Sequence, residues 1–325
     1  MALLSVSVLN HEREALQELA SLSNWGRWGE DDERGALNFV DREAIQRAIA
    51  VIQKGNVYPL GIHIRENNVP LLEGRPAPLH LMGLNGGDWA AGAGKNRPTQ
   101  TAEDYLVIGT HGTTTHIDAL CHAWSEHKMY NGFSGNLVRS YGAIRLGIEN
   151  IEGIVTKGVL LDIAGHRGVE VMDPDDLVTA ADVEACARDE GVTIERGDAV
   201  LVRTGWTQMF YRDPQAYSGI QPGVGSSAGL LLARREICLL GADNTAVNPY
   251  SGYNPRYPNR TPPADPRDGL AGIHVPYLRN LGIYLLEMLT LEQLAADRVY
   301  EFMFCLAPLL IKGGTASPAN PLAVD

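Results

Sequence analysis

The stretch Gly109-Thr-His-Gly-Thr-Thr-Thr-His-Ile-Asp-Ala-Leu-Cys-His-Ala-Trp124 constrains this chain more than any other. It holds three histidines and an aspartate within twelve residues: His111, His116, Asp118 and His122. Neutral imidazole and carboxylate are ligands that Zn²⁺ and Mn²⁺ accept, and no other part of the sequence concentrates them in this way. Whatever fold the chain adopts, it has to carry this cluster.

The spacing predicts local geometry. His116 and Asp118 are two apart, which places them on one side of an extended segment but on different faces of a helix. Asp118 and His122 are four apart, which places them on one face of a helix. The β-branched run Thr113-Thr114-Thr115 favours extended backbone. These features predict a strand or loop carrying His111, a turn at the threonines and a helix beginning near residue 116. A plainer use of the same residues is a capping box, Thr115-x-x-Asp118, at the start of that helix. Four ligand-type side chains so close together favour a metal site.

The remainder of the 325 residues bounds the setting. The apolar fraction is 45% and the charged fraction 20%, as in a globular protein with a substantial core. No apolar run reaches the length of a membrane span, and the apolar N-terminus lacks the basic leader of a signal peptide, so the expected location is the cytoplasm. A formal net charge of −12 opposes nucleic acid and anionic membranes as partners. Cys121, Cys186, Cys238 and Cys305 form no C-x-x-C pair and are expected to be buried small hydrophobes. Cys121 is the one candidate for a thiol nucleophile, although neighbours such as His122 point to different helix faces.

Along the chain, residues 12–22 read as an amphipathic helix, followed by a loop rich in Gly, Trp and acids that contains Trp25 and Trp28. Asp41 caps a helix with Ile45, Ile49 and Ile52 in period, stopped by Gly55. Residues 57–64 are strand-like, with Pro59 marking an edge. Residues 65–100, rich in Pro, Gly and Asn, read as a long excursion, and 103–108 as a strand entering the cluster. Residues 158–163, 198–203 and 237–241 read as strands, and 179–191 and 227–237 as helices; Thr179, Asp182 and Gly191 mark the ends of the first. His127 is expected at a pocket rim.

Residues 283–287 form a strand that ends on Glu287 between apolar neighbours, and 299–310 a final strand. A carboxylate in that position must be paired, protonated or metal-bound, so Glu287 and His274 are candidate distant members of the site; the alternative for Glu287 is a salt bridge to an arginine. No repeat or linker is visible. One domain over 1–325 is expected, with residues 1–55 as an N-terminal helical extension.

The segment His116-x-Asp-x-x-x-His122, with its Gly-Thr turn and His111, resembles the cyclase-like metal-dependent hydrolases, among them bacterial kynurenine formamidase and isatin hydrolase. The resemblance extends to 28–38, 128–132, Leu201-Val-Arg-Thr-Gly-Trp206, Gly241-Ala-Asp-Asn244, His274, Gly282-Ile283 and Glu287. It implies an α/β fold of the swivelling β/β/α type with a mixed central sheet, a homodimer or homotetramer, and Zn²⁺ or Mn²⁺. By motif, His111, His116 and Asp118 would be metal ligands, His122 the acid/base, and His274 and Glu287 the later ligands. Two departures stand out: His111 lies five rather than four residues before His116, and Leu120 replaces a proline. The long N-terminal part resembles a longer branch with varied substrates.

The expected activity is hydrolysis of a carbon–nitrogen bond in a small cyclic amide or aryl-formamide by metal-activated water, with His122 moving the proton. A lactone or ester hydrolase, a lyase or cyclase, and a silent metal-binding protein are the alternatives. Trp25, Trp28, Trp124 and Trp206 are candidate walls of an aromatic pocket, although each is as readily core packing.

Overall fold

The computed structural model describes residues 6–65, 69–70, 75–94, 97–250 and 272–325. Among them a nine-stranded mixed sheet runs in the order Val57–Pro59, Leu322–Val324, Glu301–Leu306, Ile154–Asp162, Ala199–Arg203, Leu239–Ala242, Tyr284–Glu287, His116–Asp118, Ala316–Pro318. Its centre is parallel from Ile154–Asp162 through Tyr284–Glu287, and both flanks are antiparallel. Parallel strands are covered on both faces, which explains why these read as unbroken apolar runs. Val159–Leu161, Ala199–Val202, Leu239–Leu240 and Leu285–Leu286 are all fully buried. The α/β class with a mixed central sheet is thus as expected.

Helices link the parallel strands. Ala180–Glu190 begins in a capping box, Thr179 accepting from the Asp182 amide while Asp182 accepts from the Thr179 amide, and ends at Gly191 with φ +71°. Such a cap is worth about 1 kcal/mol. Ser226–Arg234 follows the next strand and packs on Val6–Ser21, whose buried Glu12 accepts from the Ser227 amide at the helix start. Arg42–Ala50 is capped by Asp41 as the sequence predicts. Leu19, Ala36 and Leu37 belong to the main core, so the N-terminal segment packs into the sheet layer.

Three expectations need correction. No helix begins at residue 116: His116–Asp118 is a strand between Tyr284–Glu287 and Ala316–Pro318, so the capping box does not form. The expected excursion over 65–100 is not wholly irregular: Leu79–Leu84 within it is a strand, which pairs with the expected strand, Glu103–Val107, in a ribbon separate from the sheet. Parts of that excursion lie outside the described residues. Glu301–Leu306 is not the last strand, since two short ones follow it.

Candidate metal centre

Sheet geometry assembles the core of the centre. Side chains two apart on a strand share a face, so His116 and Asp118 project together while buried Ile117 faces the other way. Glu287 is directly opposite His116 in the antiparallel pair and joins them on that face. Glu287 ends the last parallel strand, and open α/β sheets bind ligands at such carboxyl ends. The strand is clamped there: Thr115 Oγ1 donates to the Met288 carbonyl (2.5 Å) and accepts from the Ile62 amide (2.9 Å). Met288 itself has φ +59°, a left-handed conformation costing on the order of 1–2 kcal/mol in a residue with a Cβ.

Three loops complete the ring. His111 arrives on the turn before the threonines, His122 on the turn after Asp118, and His274 at the start of the Val275–Leu281 helix. Between His111 and His116 the backbone turns at Gly112, whose φ of +93° a side chain would oppose. His111 Nδ1 reaches Asp118 Oδ1 at 3.1 Å. His122 and His274 place Nε2 at 3.9 and 3.8 Å from Asp118 Oδ2, and His274 Nε2 lies 3.1 Å from Glu287 Oε1. Among the described residues, two sets of three bring potential ligand atoms within 4.8 Å of one another: His111, Asp118 and His122; and Asp118, His274 and Glu287. Asp118 belongs to both. All six candidate residues meet.

The donor atoms fit a cation. Asp118 Oδ1 and Oδ2 and His116 Nε2 are buried and make no well-aligned hydrogen bond, although His111 Nδ1 lies 3.1 Å from Asp118 Oδ1 and His116 Nε2 lies 3.1 Å from Glu287 Oε2. Buried polar atoms are almost always satisfied, and three orphans aimed at one point suit a group that accepts lone pairs. Burial alone would raise the Asp118 carboxyl, but His122, His111 and His116 hold it far below the usual carboxylate range. Burial and the charge of Asp118 likewise oppose ionised Glu287, yet His116 and His274 bring it below its ordinary value. Burial disfavours charge on His116 and His274, while neighbouring Glu287 more than compensates and raises both. His122 differs: burial, helped by His111 and His274, lowers it to about 4 against the pull of Asp118. It is neutral at pH 7.

A second layer orients the imidazoles. His116 Nδ1 lies 2.8 Å from the Thr114 carbonyl, which only accepts, so Nε2 faces the centre with its lone pair. His274 Nδ1 lies 2.8 Å from Asn248 Oδ1, and that amide is oriented because its Nδ2 donates to the Pro249 carbonyl. Thr315 Oγ1 lies 3.1 Å from His111 Nε2. Sequence reasoning missed Asn248 and Thr315, neither of which sits near the histidine cluster in the chain. For Asn248→Ala we expect metal affinity, read by competition with a chromogenic chelator, to fall about 10–100-fold. Asn248→Asp, which keeps an acceptor at Nδ1, should stay near the native value. Unchanged affinity in the alanine variant would remove the role.

The tryptophans divide. Trp25 donates its indole N–H to the Arg279 carbonyl at 2.6 Å, and Asn24 donates to the Leu281 carbonyl, so this loop anchors the helix that His274 begins. Trp28 packs edge-on against Phe39, and both Trp25 and Trp28 pack on the main core. Trp124 is 37% exposed, and its indole lies against Gly135. Trp206 is buried with Ile62, Val69, Phe210, Tyr217 and Met288, in a small apolar cluster that includes the residue after Glu287. His127 is exposed. Burial pushes the Cys121 thiol up to about 12, which leaves almost no thiolate near neutrality and sets aside the nucleophile reading.

Two further segments prove to be scaffolding. Asp243, fully buried, accepts from the amides of Thr204 and Gly205 and from Thr204 Oγ1 (2.6 Å), tying together two loops at strand ends. Asp32 accepts from Tyr130 Oη at 2.9 Å and from the Gly35 amide at 3.0 Å. Gly35 packs on Gly282, and a Cβ on Gly35 would meet the Gly282 carbonyl at 2.5 Å.

A family model described as putative cyclase matches residues 44–249. A solved structure described as a novel cyclase is 32% identical and superposes with a TM-score of 0.83, covering 94% of this chain and 100% of its own. An isatin hydrolase bound to the product analogue thioisatinate is 22% identical, with a TM-score of 0.56 over 83% of this chain and 92% of that one. Isatin hydrolase A from Ralstonia solanacearum is also 22% identical, with a TM-score of 0.53 over 87% and 96%. At that identity the likeness to the two hydrolases is one of fold. No curated protein matches.

Proposed function

Since the chain belongs to the putative cyclase family, we propose that it is a metal-dependent hydrolase that cleaves a carbon–nitrogen bond of a small cyclic amide or aryl-formamide. The observation that carries this reading is the convergence of His111, His116, Asp118, His122, His274 and Glu287 on one point. Asp118, Glu287, His116, His274 and His111 would hold a divalent cation, Zn²⁺ or Mn²⁺ by donor type. When bound, such an ion supplies Lewis acidity, lowering the pKa of water and polarising a carbonyl oxygen.

The remaining work falls to the chain. His116, Asp118 and Glu287 are buried, whereas the side chains of His111, His122 and His274 stay 18%, 28% and 23% exposed, so substrate enters on the imidazole side. His122, neutral at pH 7, is placed to take a proton from the attacking water at Nε2 and return it to the departing nitrogen. Trp206 and its apolar neighbours are packed core beside Met288, the residue after Glu287, and would back, rather than line, a pocket for a flat, aromatic substrate. The fold shared with two isatin hydrolases supports a lactam as the first substrate to try.

The test is hydrolysis of isatin-like lactams, N-formyl anilines and lactones in ¹⁸O-labelled water, before and after chelation. Opening of a lactam or formamide should incorporate solvent oxygen and stop when metal is removed. Turnover without ¹⁸O in the product would make the protein a lyase or cyclase. Full activity after chelation would end the metal reading. Among the described residues no helix is long and apolar enough to cross a membrane.

A further inference from the structure

Three of the four imidazoles at the centre are oriented by a hydrogen bond: His111 with Thr315, His116 with Thr114 and His274 with Asn248. Among the described residues no hydrogen bond orients the ring of His122, which rests on His111 with centroids 4.1 Å apart. The aim of His122 therefore depends on the backbone that carries it.

That backbone runs directly into a strained turn. Ser125 and Lys128 form an antiparallel bridge, the Lys128 amide donating to the Ser125 carbonyl at 2.9 Å. Between them Glu126 has φ +51° and His127 φ +58°. Two successive left-handed residues are the pattern of a type I′ turn, which ordinarily takes Asn-Gly. A Cβ at each position opposes that pattern, and such strain persists only where the surroundings impose it.

The constraint comes from the other side of the centre. Arg279 lies five residues after His274, in the last turn of Val275–Leu281. Its Nε donates to the Lys128 carbonyl and its Nη2 to Glu126 Oε2, both at 3.0 Å, so one guanidinium grips the turn on either side of His127. Nη1 donates to Asn280 Oδ1 at 2.7 Å, and the guanidinium lies over the Trp25 ring, 4.9 Å from its centroid. The side chain is only 12% exposed. The turn has one more tie, the Gly135 amide donating to the His127 carbonyl at 2.8 Å, but that tie lies within its own loop.

We propose that Arg279 is the positioning residue for His122. By holding the 125–128 turn against the helix that begins at His274, it fixes the acid/base imidazole relative to the ring of His274, 6.3 Å away between centroids. The role rests on the hydrolytic reading of the centre given above. Lysine cannot take it over, because a point charge without the planar fork cannot serve a carbonyl, a carboxylate and an indole face together. Misplacing a reacting group by about 1 Å costs about 100-fold in rate.

The test is a rescue. Arg279→Lys should lower kcat on a hydrolysed lactam by about 10–100-fold. KM, and metal affinity read by chelator competition, should hold. Adding Glu126→Asn/His127→Gly gives the turn the pair that forms it without strain, and should restore most of the lost kcat. A residue that merely anchored its own helix would not be rescued at a turn 153 residues earlier. If Arg279→Lys does not fold, Glu126→Gln decides: it removes the ion pair from a side chain that is 81% exposed, and should lower kcat by about 2–5-fold. Hydrogen exchange at the Lys128 amide needs no substrate, and should quicken in both single variants and slow again with the turn substitutions. A native chain that hydrolyses none of the substrates would fell the hydrolase reading alone, and exchange would still decide whether Arg279 holds the turn. Native kcat or native exchange in the variants, loss of metal together with turnover, or failure of the rescue would each overturn the proposal.

Discussion

Asp118→Asn should leave a folded chain without bound metal and with a kcat/KM lowered by at least about 1,000-fold, the scale expected when a metal's Lewis acidity is lost. The substitution keeps the shape of the side chain and removes its charge. Asp118 is the residue shared by both sets of converging side chains, and both its oxygens are buried among imidazoles with no well-aligned hydrogen bond. An amide there offers one neutral acceptor and turns an N–H donor toward imidazoles that need an anion. Loss of a mere orienting contact costs about 10–100-fold, so loss of a shared ligand must exceed that. Metal content by plasma mass spectrometry after gel filtration, beside progress curves with a lactam, would decide the matter. A variant retaining its metal and most of its activity would take Asp118 out of the centre.

His122→Ala should do the reverse, keeping the metal while kcat falls about 100–10,000-fold, the usual contribution of a positioned acid/base. Its Nε2 is 3.9 Å from Asp118 Oδ2, about as far as those of His116 and His274 at 3.8 Å, but unlike them it has no contact with Glu287 within ion-pair distance, and its side chain is the most exposed of the six. The ring is stacked on His111 with centroids 4.1 Å apart, which holds it in place without a ligand bond. KM should change little, since the loss falls on proton transfer in the transition state. If metal content dropped together with turnover, His122 would be a ligand and the proton would need another carrier.

How far the centre could be read from the residues depends on the kind of signal each carries. Four ligand-type side chains in twelve residues speak for themselves, and Glu287 was legible because a carboxylate among apolar residues has to be compensated. The two-residue spacing of His116 and Asp118 brings both side chains to one side only on extended backbone. The helix expected at residue 116 came from the four-residue spacing of Asp118 and His122, and tertiary pairing with Tyr284–Glu287 overrode it. Asn248 and Thr315 gave no signal, because an orienting hydrogen bond depends on contacts between distant segments. The ribbon was half visible: the strand at 103–107 had the right composition, but nothing local tells a strand of the main sheet from one that stands apart.

The bond between Thr115 and Met288 spans 173 residues, and the pairing of His116 with Glu287 depends on the same juncture. A ribosome emits the cluster at 111–122 long before the segment that supplies His274 and Glu287. The nascent chain thus carries three imidazoles and one carboxylate but lacks the later ligands and the strand that aligns them. Selection of an ion would thereby wait for the segment carrying His274 and Glu287, so that a shaped and partly closed cavity, rather than a loose string of donors, would discriminate among the metals of the cell.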